Sequence, residues 1–235
     1  MTAAAAEPLV LVPGLLCSPA LFALQVSAFG RERLVLVADH ARSDRLEAIA
    51  RDVLAVAPER FALAGLSMGG YIALAIQRAA PERVTRIALL DTSARPDMPE
   101  RVADRRRLME IARVEGVRKV QGMLMPRLIH PARLGEADLV ATVLQMADDT
   151  GLDAFLRQQE AIIARPDARP GLEAVRCPTL VLAGAQDLQT PPDIAAEIAA
   201  GIAGARLVIV PDCGHLSTLE RPEAVNAALA EWLAG

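Results

Sequence analysis

The chain has 235 residues, 53% hydrophobic but only 3% aromatic, with 23% charged and a net charge of −4. That length buries a core of Ala, Leu, Val and Ile without staples, the charged fraction argues against disorder, and the acidic balance offers nucleic acid no electrostatic footing. Three cysteines (Cys17, Cys177, Cys213) are odd in number and lie far apart without CxxC spacing, so neither a disulfide framework nor a zinc centre is expected.

The Ala-rich start, Thr2 to Ala6, is expected to be a loose end, and neither the basic nor the long apolar segment of a secretion signal is expected at the N-terminus. No stretch approaches the 18 apolar residues of a membrane span. The expected location is cytoplasmic, away from membranes.

In chain order, short apolar runs occur at Pro8 to Val12, Leu34 to Ala38, Phe61 to Gly65, Val84 to Leu90, Thr179 to Ala183 and Arg206 to Val210. Each is apolar at successive positions, as in strands covered on both faces. Helical patterns lie between them. Arg45 to Val56 carries Leu46, Ile49, Ala50, Val53 and Leu54 on one face, with Asp44 and Glu47 spaced as a capping box. Ser67 to Ala80 stops before Pro81, and Pro192 to Ala203 and Pro222 to Leu233 follow. The alternation predicts an α/β fold, a doubly wound, mostly parallel sheet of about six strands.

One region breaks the rhythm. Pro99 to Val114, Val117 to Leu124, Glu136 to Met146 and Leu152 to Ile163 all read as helices, with no strand among them. The expected organisation is a core of residues 1–92 and 176–235, with residues 93–175 inserted as a helical cap over the strand ends.

Gly65-Leu66-Ser67-Met68-Gly69 fits G-x-S-x-G, in which a serine stands on a sharp strand-to-helix turn. The flanking glycines avoid collision at that turn, and the dipole of the following helix favours developing negative charge. A serine hydroxyl needs a base. His215 follows the last strand and so falls on the same sheet edge as Ser67; His40 and His130 compete for the role. The base needs a carboxylate. Asp187, just past Thr179 to Ala183, completes the chain order Ser, Asp, His, while Asp91 at the end of Val84 to Leu90 is the alternative acid. Two backbone amides are needed for an oxyanion. The expected pair is Met68, directly after the serine, and Leu15 in Pro13-Gly14-Leu15-Leu16, where Gly14 would permit a tight turn. Cys17 in that loop reads as a small buried hydrophobe.

These segments together resemble the α/β-hydrolase superfamily, in its small, capped, esterase-like and enol-lactonase-like branch. The match runs through Pro13-Gly14-Leu15, Gly65 to Gly70, Gly184 to Asp187 with Pro191-Pro192, and Gly214-His215 with Leu219-Glu220 and Pro222. The resemblance implies a catalytic triad working without metal or cofactor. Two departures stand out: Pro13-Gly14 replaces the usual His-Gly, and the antiparallel hairpin that often opens this fold is not expected ahead of the first run. The serine excludes the branches built on an aspartate nucleophile. Lyases, perhydrolases and carbon–carbon hydrolases remain alternatives, although the last usually carry Asn where this chain has Leu66.

The expected activity is hydrolysis of small carboxylic esters or lactones through an acyl-enzyme. Met98, Met109, Met123, Met125 and Met146 all lie in the cap, and adaptable thioethers suit an apolar pocket; core filling is the competing use. Met123, Leu124, Met125 and His130 are the candidate substrate contacts. From Ser93 to Gly135 there are ten basic and five acidic residues, a solvated face or an attractor of anionic esters. The open sheet edge, or the cap itself, could support a homodimer.

Overall fold

The computed structural model describes residues 6–235. Six strands form one sheet in the order β2-β1-β3-β4-β5-β6: β1 (Ala6–Val12), β2 (Arg33–Val37), β3 (Phe61–Leu66), β4 (Val84–Leu90), β5 (Thr179–Gly184) and β6 (Arg206–Val210). Every neighbouring pair is parallel. All six expected strands are present. Burial follows position in the sheet. The inner strands β3 and β5 are buried throughout, whereas the edge strands β2 and β6 leave Leu34, Leu207 and Ile209 exposed. Covering of all six strands on both faces is therefore corrected: an edge strand has a sheet neighbour on one side only.

Alternation along β1 divides the core. Val10 and Val12 point to the side of α2 (Leu46–Val56), α3 (Met68–Ala79) and α7 (Pro192–Gly201), packing with Ile49, Ile72 and Ile198. Leu9 and Leu11 point to the side of α1 (Ala23–Phe29) and α9 (Pro222–Ala234), packing with Phe22, Phe29 and Trp232. A two-residue period in each strand thus feeds two apolar layers. The helix α1 was not anticipated, because seven residues are too few to establish a 3.6-residue period. The capping box at Asp44 and Glu47 does not form: α2 begins at Leu46, Arg45 occupies the N-cap, and no side chain caps it.

Between β4 and β5 lie α4 (Pro99–Glu115), α5 (Val117–Leu128) and α6 (Ala137–Ile163). Three helical segments stand where four were expected, since the last two join as α6 across a break at Gly151, whose φ is 74°. The helix α5 continues one turn beyond Leu124, through Pro126. Met109, Val120 and Phe155 from these helices enclose Leu16 of the loop after β1, which seats the insertion over the carboxyl ends of the strands. Among the described residues no helix is long and apolar enough to cross a membrane.

Candidate active site

Ser67 sits between β3 and α3 with φ 56° and ψ −116°. That conformation is costly for a residue with a side chain and persists only where its surroundings enforce it. They do so here by close packing. A Cβ on Gly65 would come 2.2 Å from the Gly69 carbonyl oxygen, and one on Gly69 would come 1.9 Å from that of Val12. Neither position admits a side chain, which explains both glycines of the motif. The turn is fastened by the Ser67 amide donating to Leu90 at 2.9 Å and by the Thr92 hydroxyl donating to the Ser67 carbonyl at 2.7 Å.

His215 reaches Ser67 from the loop after β6: its Nε2 lies 2.9 Å from the serine Oγ, and its Nδ1 lies 2.8 Å from Asp187 Oδ2. A carboxylate only accepts, so Nδ1 carries the proton and the Nε2 lone pair faces the hydroxyl. Asp187 is itself held. Its Oδ1 accepts from the Gln189 and Thr190 amides at 2.7 and 2.9 Å, and its Oδ2 accepts from the Thr190 hydroxyl at 2.7 Å. Burial works against its ionisation, but His215 and these donors hold its pKa below the ordinary carboxylate value. Burial likewise opposes the imidazolium of His215, yet the neighbouring Asp187 carries its pKa above the ordinary 6.5.

The loop bearing His215 is clamped from two sides. The His215 and Leu216 amides both donate to the Leu128 carbonyl at the end of α5, at 3.0 and 3.1 Å. Glu220, on the short helix α8 (Ser217–Glu220), accepts from the Gly214 amide at 3.0 Å and from the His130 amide at 2.7 Å. The insertion and the histidine loop are therefore one hydrogen-bonded unit.

Asp91 makes no hydrogen bond with His215. It accepts from the Gly184 amide at 2.9 Å and pairs with the Ser217 hydroxyl. Complete burial, reinforced by Asp187, pushes its pKa up to about 8, so it is mostly a neutral acid at pH 7. The structure brings Asp187, not Asp91, to the histidine.

The Met68 amide is the first of α3 and has no intrahelical acceptor; that of Leu15 has no acceptor among the described residues. The loop turns tightly at Gly14, where a Cβ would come 3.3 Å from the Leu66 carbonyl oxygen, and its positive φ falls at Leu16, 56°. The Leu16 amide donates to Gln158 Oε1 of α6 at 3.1 Å. His40, which competed for the role of base, does not meet Ser67: it is buried, with Nε2 2.9 Å from the Gly14 carbonyl oxygen and 3.0 Å from Gln158 Nε2. Burial lowers its pKa, which keeps it neutral. Nothing in the spacing of Gln158 marked it, because a glutamine on a helix ordinarily faces water. Burial pushes the Cys17 thiol up to about 12, which leaves it inert.

A cavity of about 60 Å³ opens on Ser67 and His215, with Leu124, Arg101 and Arg105 of the insertion on its walls. A second, of about 310 Å³, adjoins it through Leu15, Arg101, Arg105, Leu124 and Gln189, and reaches Met123. Of the four expected substrate contacts, Leu124 and Met123 lie on these walls. Met125 and His130 do not. Met125 packs into the core beside Leu128 and Val143, and His130 caps the turn Pro131–Arg133 by accepting from the Ala132 amide at 3.1 Å.

A sequence profile described as "Alpha/beta hydrolase family" matches residues 9–228. The chain belongs to that family. The hydrolase is similar in structure to a thermophilic esterase from Thermogutta terrifontis, with a TM-score of 0.89 and 31% identity, covering 99% of this chain and 91% of the other. An enol-lactonase from Burkholderia xenovorans LB400 aligns with a TM-score of 0.87 and 28% identity, covering 100% and 94% of the two chains. In sequence the hydrolase is 29% identical over 208 residues to a 2-hydroxy-6-oxononadienedioate/2-hydroxy-6-oxononatrienedioate hydrolase of Klebsiella pneumoniae, covering 85% of this chain and 71% of that one.

Proposed function

We propose that this protein is a serine hydrolase of small carboxylic esters or lactones that works through an acyl-enzyme. The observation that carries the reading is the continuous relay Asp187–His215–Ser67, with contacts of 2.8 and 2.9 Å, opening on a cavity. Ser67 Oγ attacks the ester carbonyl while His215 Nε2 takes its proton, and the carbonyl electrons move onto oxygen, where the Met68 and Leu15 amides receive the charge. The tetrahedral adduct collapses, His215 returns the proton to the leaving alkoxide, and the acyl group stays on Ser67. Water then attacks with His215 as base, releasing the acid and restoring the serine. For a lactone, the alcohol and acid leave as one molecule. No metal or cofactor enters this scheme, and the helices between β4 and β5 serve as a cap over the site.

The similarity to the Klebsiella hydrolase supports a second reading, cleavage of a carbon–carbon bond by the same residues; Leu66 before the serine weighs against it. The test is turnover of p-nitrophenyl esters from acetate to octanoate beside Ser67→Ala. Turnover lost in the variant supports the ester hydrolase, and the preferred chain length sizes the acyl pocket. Inactivity of the native chain, or equal activity of the variant, would overturn it.

A further inference from the structure

The walls around Ser67 are uneven in charge. The cavity at the serine carries two guanidinium groups, Arg101 and Arg105, and no carboxylate. The adjoining chamber has two acidic residues, Glu100 and Asp104, both exposed.

Arg105 is held by two partners. Its Nε pairs with the buried Asp97, which also binds Arg165 Nη2 at 2.7 Å, and its Nη1 donates to Gln159 Oε1 at 2.9 Å. These contacts leave its Nη2 without an acceptor among the described residues. One aspartate shared by two arginines also leaves the cluster with an excess positive charge. Arg101 has no carboxylate partner among the described residues; its Nη2 donates to the Gln189 carbonyl at 3.0 Å.

Gln159 supplies the second, independent observation. It is wholly buried, and its Nε2 has no hydrogen-bond partner among the described residues. Its orientation is fixed: a guanidinium only donates, so the glutamine oxygen must face Arg105 and the amide nitrogen must face away. A buried, unpaired N–H₂ is expensive and calls for an acceptor. Gln159 lies on the wall of the chamber that Arg101 and Arg105 share with the serine cavity.

We infer that Arg105, Gln159 and Arg101 form a subsite for a carboxylate on the substrate, which makes the preferred substrates half-esters or lactones that carry a second, free carboxyl group. The inference rests on the ester-hydrolase reading for the bond that is cleaved, and it assigns the substrate class. A single negative charge with two oxygens suits three donors, and the free Nη2 of Arg105 makes its hydrogen bond charge-assisted. A doubly charged phosphate would bring more charge against Glu100 and Asp104.

The test compares kcat/KM for methyl hydrogen glutarate with that for its neutral monoamide, methyl 4-carbamoylbutanoate. The half-ester should be favoured by about tenfold or more, as expected for one or two charge-assisted hydrogen bonds. In Gln159→Glu the acceptor for Arg105 is retained, so the fold is supported, but an anion replaces the free amide. The half-ester to monoamide ratio should fall by about tenfold, and Arg101→Gln should lower it by a smaller factor. A ratio near one in the native chain, or an unchanged ratio in both variants, would remove the carboxylate subsite and leave the ester hydrolase standing. Should neither ester be cleaved, the hydrolase reading falls, and calorimetric titration of glutarate decides the subsite alone. Binding that weakens about tenfold in Gln159→Glu supports it; absence of binding, or tighter binding of inorganic phosphate, overturns it.

Discussion

Strands β3 and β5 are buried along their whole length, whereas α4 buries only Met109 and Ala112 along its 17 residues. The sheet is held by apolar layers on both faces. The helices between β4 and β5 combine an apolar contact, Met109, Val120 and Phe155 around Leu16, with ion pairs along their polar faces: Arg106 with Glu160, Arg118 with Asp148, and Arg105 and Arg165 on Asp97. The proposed chemistry divides in the same way. The sheet ends set Ser67, His215 and Asp187, while the polar helices furnish the walls that meet substrate. Reaction geometry needs a rigid support, and choice of substrate needs side chains that can be exchanged without disturbing that support.

The largest effects should come from the sheet side. Asp187→Asn should lower turnover about 10⁴-fold, the magnitude known for the same change in a serine protease, while Asp91→Asn should stay within about tenfold at pH 7, since Asp91 is mostly neutral there already. Similar losses in both would break the distinction drawn between the two acids. Because Asp187 raises the pKa of His215 and the base works only when neutral, kcat/KM should fall toward acid with an apparent pKa above 6.5. In Asp187→Asn that acid limb should move to lower pH.

Stability offers the next contrast. Leu63 is fully buried on β3, and Leu63→Ala should cost about 2–5 kcal/mol in denaturant unfolding. Arg118→Gln, which breaks an exposed ion pair of the insertion, should cost under about 1 kcal/mol. The comparison fails if the two are equal.

A pH trend separates the two acids further. Asp91 keeps its proton in the folded chain up to about pH 8, whereas the unfolded chain releases it near 3.8. Through that window the folded state binds the extra proton, so stability falls as pH rises. Asp91→Asn lacks this term, and its Tm relative to the native chain should climb between pH 5 and 8. A pH-independent difference would contradict the neutral form.

Legibility in the sequence followed the same division. All six strands and the approach of Ser67, His215 and Asp187 could be read because backbone constraints leave marks: Gly65 and Gly69 where no Cβ fits, and an apolar run before each loop. The polar supports left none. Gln158 meets the Leu16 amide across 142 positions, and His40 meets Gly14 through tertiary packing, so neither residue type nor spacing announces them. Met125 and His130 could not be told from Met123 and Leu124, because which side of α5 and its following turn faces the cavity is decided by the neighbours of α5. The Asp44 and Glu47 pattern was one residue out of register with the true start of α2.

The most direct test of the central claim is covalent. Diethyl p-nitrophenyl phosphate transfers its diethylphosphoryl group to an activated serine and releases p-nitrophenolate. Intact-mass and peptide analysis should find one adduct per chain, on Ser67, absent from Ser67→Ala and slowed in His215→Ala. No adduct on the native chain, or the same adduct on Ser67→Ala, would contradict Ser67 as the activated nucleophile.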